Sequence, residues 1–191
     1  NRGHVDVPRL QDGNVAIQAF TIVTQVPREL NITRNSANSD DITLLAMVQL
    51  WPMSTWFSLK ERALYQARKL HDLANRSHGR LTVIRSTEDL DAFLQRRVKN
   101  PSMIAAILGV EGAQCLEGDL NNIDVFYESG IRMMAPTHFF DNDIGGSAHG
   151  VLKGGLTQKG KNMVRRMQAK SMIVDLAHAS HAVIKDVLAI S

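Results

Sequence analysis

Three apolar runs decide the fold of this chain, and each leads into a residue that can bind a metal or act as an acid or base. They read Met103-Ile-Ala-Ala-Ile-Leu-Gly-Val-Glu111, Ile131-Arg-Met-Met-Ala-Pro-Thr-His138 and Met172-Ile-Val-Asp-Leu-Ala-His178. Their nearly continuous apolar character is typical of strands buried on both faces of a parallel sheet. Because the carboxyl ends of the strands in an α/β barrel lie on one face, the sequence predicts that Glu111, His138 and His178 meet in one pocket.

Helical segments separate these runs and also precede them. Helices are predicted over 42–49, 58–76, 90–98, 121–128, 157–170 and 180–189, and two further strands over 15–23 and 81–84. The alternation of strands and helices predicts an α/β fold with a parallel sheet. About five strand–helix units are present, whereas a (β/α)8 barrel needs eight. From the pattern alone, the chain is either an open doubly wound sheet or part of a barrel.

Composition narrows the class of protein. The chain has 191 residues, with 44% hydrophobic and 21% charged residues, as in a soluble globular domain. A net charge of +3 without a Lys/Arg run argues against a nucleic-acid partner. Cys115 is the single cysteine, so the sequence offers neither a disulfide framework nor a cysteine-rich zinc site. We expect no membrane span and no signal peptide, because no apolar segment has the required length or flanks.

Each of the three candidate residues also has a structural interpretation. Glu111 lies between glycines, in Gly109-Val-Glu-Gly112, where backbone and ligand can approach closely, but it could be a surface glutamate in a turn. His178 is a candidate metal ligand or a histidine bonded to the backbone at a helix entry. His138 could bind metal, donate to a developing oxyanion, or be structural.

The remaining histidines are weaker candidates. His181 falls in the first turn of a predicted helix and is expected to be exposed, and His149 is expected to be an ordinary residue of a glycine-rich loop. His4 and Asp6 form a His-x-Asp pair, which is a favoured ligand pair on the first strand of barrel hydrolases. They precede 7–10 rather than ending an apolar strand, so we do not assign them to the site.

Several motifs together resemble the membrane dipeptidase family (renal dipeptidase-like, peptidase family M19), in a form similar to its bacterial members. The segments that carry the resemblance are 6–20, Gly109-Val-Glu-Gly112, Phe126-Tyr-Glu-Ser-Gly-Ile-Arg132, Thr137-His138, Gly154-Gly-Leu-Thr157 and Ile173-Val-Asp-Leu-Ala-His-Ala-Ser180. The order and spacing of these segments are specific, and the resemblance runs over essentially the whole chain.

The resemblance implies a (β/α)8 TIM barrel of the metal-dependent hydrolase type, with two zinc ions in a complete active site. Glu111 would bridge both zincs and His178 would bind the second. His138 would contact the substrate carbonyl and stabilise the tetrahedral intermediate. The implied function is zinc-dependent hydrolysis of dipeptides by a metal-bridging water or hydroxide.

The resemblance also marks what the sequence lacks. The His-x-Asp pair of the family lies upstream of the segment that begins here, and a further histidine ligand, a substrate-binding arginine and an acidic residue follow Ser191. We therefore expect residues 1–191 to be one partial barrel domain of about five central units, without the first and last strands. Such a chain is expected to be inactive by itself.

Two alternatives to a dipeptidase stay open. One is a catalytically inactive homologue that uses the barrel for binding, and the other is a related metal hydrolase acting on another amide or on a lactone. The resemblance further implies a small dipeptide substrate, a homodimer, and an exported or membrane-anchored location. Contact with a membrane would require a lipid or signal anchor that is not in this chain.

Overall fold

The computed structural model describes residues 4–190, which form a parallel sheet with helices. The strands are β1 Ile17–Val23, β2 Leu81–Val83, β3 Ile104–Glu111, β4 Ile131–Met134 and β5 Ile173–Val174. The helices are α1 Val7–Asp12, α2 Asp41–Val48, α3 Ser54–Phe57, α4 Leu59–Arg76, α5 Thr87–Lys99, α6 Asn122–Glu128, α7 Gln158–Ala169 and α8 His181–Ile190, with a 3₁₀ turn at Ala113–Leu116.

All strand pairs are parallel, and the order across the sheet is β1-β3-β4-β5. Strand β2 pairs only with the first part of β3. There the amide of Ile84 donates to the carbonyl of Ala106 at 2.9 Å, and further along the strand the amide of Ala135 donates to Val110 at 2.9 Å. Carbonyls two residues apart point to the same edge of a strand. Strands β2 and β4 therefore share one edge of β3 and β1 pairs with the other edge, whereas a closed barrel would place β2 between β1 and β3.

Side-chain caps start four of the helices, and three of them begin within one residue of the predicted start, whereas α5 begins three residues before the predicted residue 90. The hydroxyl of Ser58 accepts from the amide of Glu61 at 3.1 Å, and that of Ser86 accepts from Asp89 at 3.1 Å. Thr157 caps α7 and Ser180 caps α8 in the same way, each at 3.0 Å. Each cap satisfies one amide that the first helical turn leaves unpaired, which fixes where the helix begins.

The main core lies between one face of the sheet and the helices packed against it. Alternate residues of β3, among them Ala106, Leu108 and Val110, belong to the same buried cluster as Phe126 of α6 and Met163 of α7. The same cluster includes residues of α4 and α8. This packing fixes the register of the strands and therefore the positions of the residues at their carboxyl ends.

The opposite face of the sheet is more open. Ile17 of β1 is 41% exposed and Ile173 of β5 is 50% exposed. At the amino-terminal end of this face, Phe93 of α5 belongs to a second, smaller cluster with Ala105. In a (β/α)8 barrel the corresponding face is filled by layers of side chains from all the strands.

Three features differ from the sequence prediction. Strands β4 and β5 end at Met134 and Val174, so Asp175, expected inside the strand, follows it. The amide of Asp175 still donates to Met134 at 3.0 Å, which keeps the chain aligned beyond the strand end. Helices α1 and α3 were not predicted.

No helix within residues 4–190 combines the length and hydropathy that crossing a membrane requires.

Candidate metal centre

Glu111, His138 and His178 lie together at the carboxyl edge of the sheet, each offering a ligand atom within 4.8 Å of the others. Glu111 is the last residue of β3, His138 follows β4, and His178 follows β5. The predicted meeting of these three residues in one place is therefore observed. The side chain of His138 is 2% exposed, whereas those of Glu111 and His178 are 21% and 26% exposed.

The two imidazoles stand at different distances from the carboxylate. Nε2 of His138 lies 2.9 Å from Oε2 of Glu111, which is a hydrogen-bond distance. Nε2 of His178 lies 3.8 Å from the same oxygen. Two donors on one tetrahedral zinc, with bonds of about 2.0–2.2 Å, are roughly 3.4 Å apart. The spacing of Glu111 and His178 is thus close to that of two ligands of one ion, while His138 bonds directly to the carboxylate.

Glycines on both sides of Glu111 shape the end of β3. Gly112 has φ +89°, a conformation that L side chains rarely adopt, and this lets the chain turn immediately after Glu111. A Cβ atom at Gly112 would also lie 2.2 Å from the side chain of Gln114. At Gly109 a Cβ would lie 2.7 Å from the end of the Met133 side chain. The glycines on both sides of Glu111 therefore have a steric reason, because a side chain at either position would collide with a neighbouring side chain.

The segment after His138 is held in shape by the carboxylate of Asp141. It accepts the amide hydrogens of Ser147 at 2.8 Å, Val151 at 2.8 Å, Leu152 at 2.7 Å and Lys153 at 3.3 Å. We call this segment, residues 141–155, the glycine-rich loop. It needs the charged side chain because its own backbone forms no helix or strand that would satisfy these amides.

The glycine-rich loop also fixes the backbone of both histidines. The hydroxyl of Ser147 donates to the carbonyl of His138, and the amide of Ala148 donates to the carbonyl of His178 at 2.8 Å. His178 itself has φ +64°, a strained conformation for a residue with a side chain, and such strain persists only where surrounding contacts impose it.

A fourth histidine contacts the cluster. Nε2 of His149 lies 3.1 Å from Nδ1 of His178, and Nδ1 of His149 lies 2.8 Å from the carbonyl oxygen of Ile32. The expectation that His149 is an ordinary loop residue was therefore wrong. No local pattern in the sequence indicated this contact, because it depends on the path of the glycine-rich loop and of the segment after β1.

Hydrogen bonding and burial in the cluster favour the protonation states that metal binding needs. The hydrogen bond from His138, helped by one from Thr21, lowers the pKa of Glu111 to about 2 despite partial burial. Burial and the neighbouring His138 ring lower the pKa of His178, outweighing the attraction of Glu111. An ionised carboxylate and a neutral imidazole are the forms in which these groups ligate metals.

Other candidates from the sequence have structural positions. Asp6 caps α1, accepting from the amide of Arg9 at 2.9 Å and forming an ion pair with its guanidinium. Its partner in the His-x-Asp motif, His4, is exposed, and neither belongs to the cluster. His181 is exposed at the start of α8, as expected. Asp175 accepts from the amide of Ala177 at 2.9 Å and closes a local turn.

The cluster fits a metal by the chemistry of its donors. A carboxylate with two oxygens and a neutral imidazole are ligands that zinc accepts. A ligating histidine usually donates a hydrogen bond from its second ring N–H to a neighbour, and Nδ1 of His178 has such a neighbour in Nε2 of His149. Within residues 4–190, Glu111, His138 and His178 are the group that brings three possible ligand atoms close together.

A parallel α/β sheet of the barrel type, with a carboxylate and imidazoles at its carboxyl edge, defines the class of metal-dependent hydrolases with barrel folds. Within this class, the chain belongs to the membrane dipeptidase family (peptidase family M19), whose sequence model matches residues 1–191.

Individual relatives agree with this assignment. The chain is 33% identical to dipeptidase verJ of Clonostachys rogersoniana over 64% of its own length and 31% of the relative's. It is 28% identical to dipeptidase 3 of Mus musculus over 99% of its own length and 38% of the relative's. Among solved structures, this chain aligns with a metallo peptidase from Rhodobacter sphaeroides that is liganded with a phosphinate mimic of the dipeptide L-Ala-D-Ala. The TM-score is 0.75 at 21% identity, and the alignment covers 100% of this chain and 54% of that one. The chain thus spans between 31% and 54% of the length of these relatives.

Proposed function

We propose that the protein carrying this chain is a zinc-dependent dipeptidase, and that the cluster of Glu111, His138 and His178 is part of its active site. The observation that carries the proposal is the 3.8 Å spacing between Glu111 and His178, which suits two ligands of one ion, at the carboxyl edge of a family-typical sheet. The relatives' names and the dipeptide mimic bound to the Rhodobacter sphaeroides enzyme support a dipeptide as substrate.

Glu111 and His178 are the proposed metal ligands. Glu111 has two carboxylate oxygens and would bridge two zinc ions, while His178 would bind one of them through Nε2. When bound, zinc lowers the pKa of a water toward neutrality and stabilises negative charge that develops on the substrate. Glu111 is suited to this position because it stays ionised, with a pKa of about 2.

His138 is the proposed substrate-contacting residue. Its Nδ1 is buried and no residue of the described chain bonds to it, so Nε2 makes the ring's polar contact. Because a carboxylate can only accept, Nε2 carries the proton and presents an N–H to the cluster. This donor would bond to the carbonyl oxygen of the scissile peptide and stabilise the oxyanion that forms there.

The chain is proposed to be the middle of a barrel domain. The described residues offer Glu111 and His178 as ligands, whereas each catalytic zinc needs about three protein ligands. We therefore expect residues 1–191 to be inactive in isolation, with the remaining ligands supplied by other strands. An exported or membrane-anchored location and a homodimer are further expectations, and the family's description as membrane dipeptidases supports the first of them.

Hydrolysis of a panel of dipeptides by the complete protein tests this proposal. We expect turnover with zinc, none after chelation, and recovery when zinc is restored. Glu111→Ala should abolish turnover, because it removes the carboxylate shared by the metals. Asp143→Asn, a change of an exposed carboxylate that pairs with Lys159 on the surface, is the control and should keep full activity.

Two outcomes would contradict the proposal. A folded, zinc-loaded protein that hydrolyses no dipeptide but acts on other amides or on lactones would indicate a related hydrolase. A protein that hydrolyses none of these substrates would indicate a homologue used for binding.

A further inference from the structure

His149 makes two polar contacts through its ring, one on each nitrogen. Nδ1 lies 2.8 Å from the carbonyl oxygen of Ile32, and Nε2 lies 3.1 Å from Nδ1 of His178. The two rings are inclined at 56° with centroids 5.2 Å apart, so the nitrogens meet at their edges rather than stacking. The result is a chain of groups from a backbone carbonyl, through His149, to His178.

The direction of the protons along this chain follows from its first member. A carbonyl oxygen can only accept, so Nδ1 of His149 carries a proton. In a neutral ring the other nitrogen is then an acceptor, and Nε2 of His149 must receive a hydrogen bond from Nδ1 of His178. His178 is thereby held as the Nδ1-protonated tautomer, and its Nε2, which lies 3.8 Å from Oε2 of Glu111, carries no proton.

We propose that His149 is a positioning residue, which selects the tautomer and ring orientation of His178 that bind metal through Nε2. The inference rests on the proposed function in taking His178 as a ligand. His149 itself would contact neither metal nor substrate.

Hydrogen bonds to its amide and carbonyl hold the backbone of His149 in place. Its amide donates to the hydroxyl of Ser147 at 3.0 Å. Its carbonyl accepts from the amide of Asn35 at 2.8 Å and from the side-chain amide of Asn35 at 3.1 Å. Asn35 is 6% exposed and also donates to the carbonyl of Asn31 at 2.7 Å. The segment after β1 and the glycine-rich loop therefore fix His149 from two sides.

A pre-set tautomer has a measurable effect. Without an acceptor at Nδ1, His178 would be free to place its proton on Nε2, and that form must lose the proton or change tautomer before it can bind metal. Loss of the groups that orient a ligating histidine typically weakens metal binding about 10- to 100-fold.

The test uses the complete protein in metal-free form, with the histidine rings labelled with ¹⁵N. We expect long-range ¹H–¹⁵N spectra of the wild type to show His178 protonated on Nδ1. In His149→Phe the Nε2-protonated form should become substantially populated, and the dissociation constant for zinc, measured by competition with a chelating dye, should rise about 10- to 100-fold. His149→Gln, whose side-chain carbonyl can accept from Nδ1, should restore most of both properties.

Controls separate this role from folding and from the proposed function. His181→Phe, which changes an exposed histidine three residues after His178, should alter neither the spectrum of His178 nor the zinc affinity. An unchanged tautomer or unchanged zinc affinity in His149→Phe would overturn the inference, as would a His149→Gln variant as weak as His149→Phe. Because the tautomer is read without metal or substrate, it decides this inference even if the protein hydrolyses no dipeptide.

Discussion

At the scale of single residues, a buried arginine anchors the segment that leads to the site. Arg62 is 2% exposed, and its guanidinium donates to Asp40, to the hydroxyl of Thr43 and to the carbonyl of Thr24 at 2.8 Å. A buried charge is tolerated only when it is paired and hydrogen-bonded. Arg62 thereby ties α4 to both ends of the segment between β1 and α2, residues 24–40. This segment contains Ile32, whose carbonyl contacts His149.

Replacing the carboxylate of Asp40 should destabilise the fold, because the buried guanidinium of Arg62 then loses its charged partner. Burial raises the pKa of Asp40, but hydrogen bonds from Thr43 and Arg62 outweigh it and lower the pKa overall. Stability from Asp40 is therefore present at neutral pH and is lost as the pH falls through the folded-state pKa. Asp40→Asn should lower the free energy of unfolding by about 3 kcal/mol at pH 7.

Urea unfolding at several pH values measures this effect. The wild type and Asp40→Asn should converge only below the lowered folded-state pKa of Asp40, where the carboxyl is protonated in both states of the wild type. Asp41→Asn is the matched control, since Asp41 is 58% exposed and pairs with Arg28 on the surface. It should change the free energy of unfolding by less than about 1 kcal/mol. A difference between wild type and Asp40→Asn that is independent of pH would contradict the ion-pair explanation.

At the scale of elements, the glycine-rich loop is the part on which the site depends most. It bonds to the backbone carbonyls of both His138 and His178, and it carries His149, yet it has no regular secondary structure. Its shape comes from the four amides that Asp141 accepts. Gly150 fits against this carboxylate, since a Cβ there would lie 2.1 Å from Oδ1 of Asp141.

Asp141→Asn should loosen the loop while leaving the helices intact. The neutral amide keeps one oxygen and presents an N–H group toward amides that need an acceptor, so we expect a loss of about 2–4 kcal/mol in the free energy of unfolding. Amide hydrogen exchange of residues 147–153 should become faster, and zinc affinity should fall with it. Exchange rates in this segment that match the wild type would show that the carboxylate does not hold the loop.

The sequence was sufficient where structure depends on neighbouring residues. The caps at Ser58, Ser86, Thr157 and Ser180 are local signals, and each starts a predicted helix, although α5 begins three residues earlier than predicted. The meeting of the three site residues was also predictable, because strand ends in a parallel sheet share an edge.

Features that depend on distant contacts were missed. The pairing of β2 with the edge of β3 that also binds β4, instead of a barrel-like position between β1 and β3, depends on which edge of β3 is available. The contact of His149 with His178 joins residues 29 positions apart through a loop, and no periodicity encodes it. Helix α1 did have a local signal that the prediction did not use, namely the capping Asp6 followed by a proline at the helix start.

At the scale of the whole molecule, the sheet has one packed face and one open face. Helices cover the first, while Ile17 and Ile173 on the second are 41% and 50% exposed. The proposed ligands lie at the carboxyl edge, where the active sites of barrel enzymes are built from several strands. The geometry therefore fits a site shared between these strands and others of a complete barrel.

The central claim is that Glu111 and His178 bind the catalytic metal while His138 does not. Anomalous diffraction at the zinc edge from crystals of the complete, zinc-loaded protein tests it most directly. We predict two zinc peaks bridged by Glu111, one of them about 2.0–2.1 Å from Nε2 of His178, with His138 outside bonding distance of either. A zinc bound to His138, or no zinc at Glu111, would contradict the account.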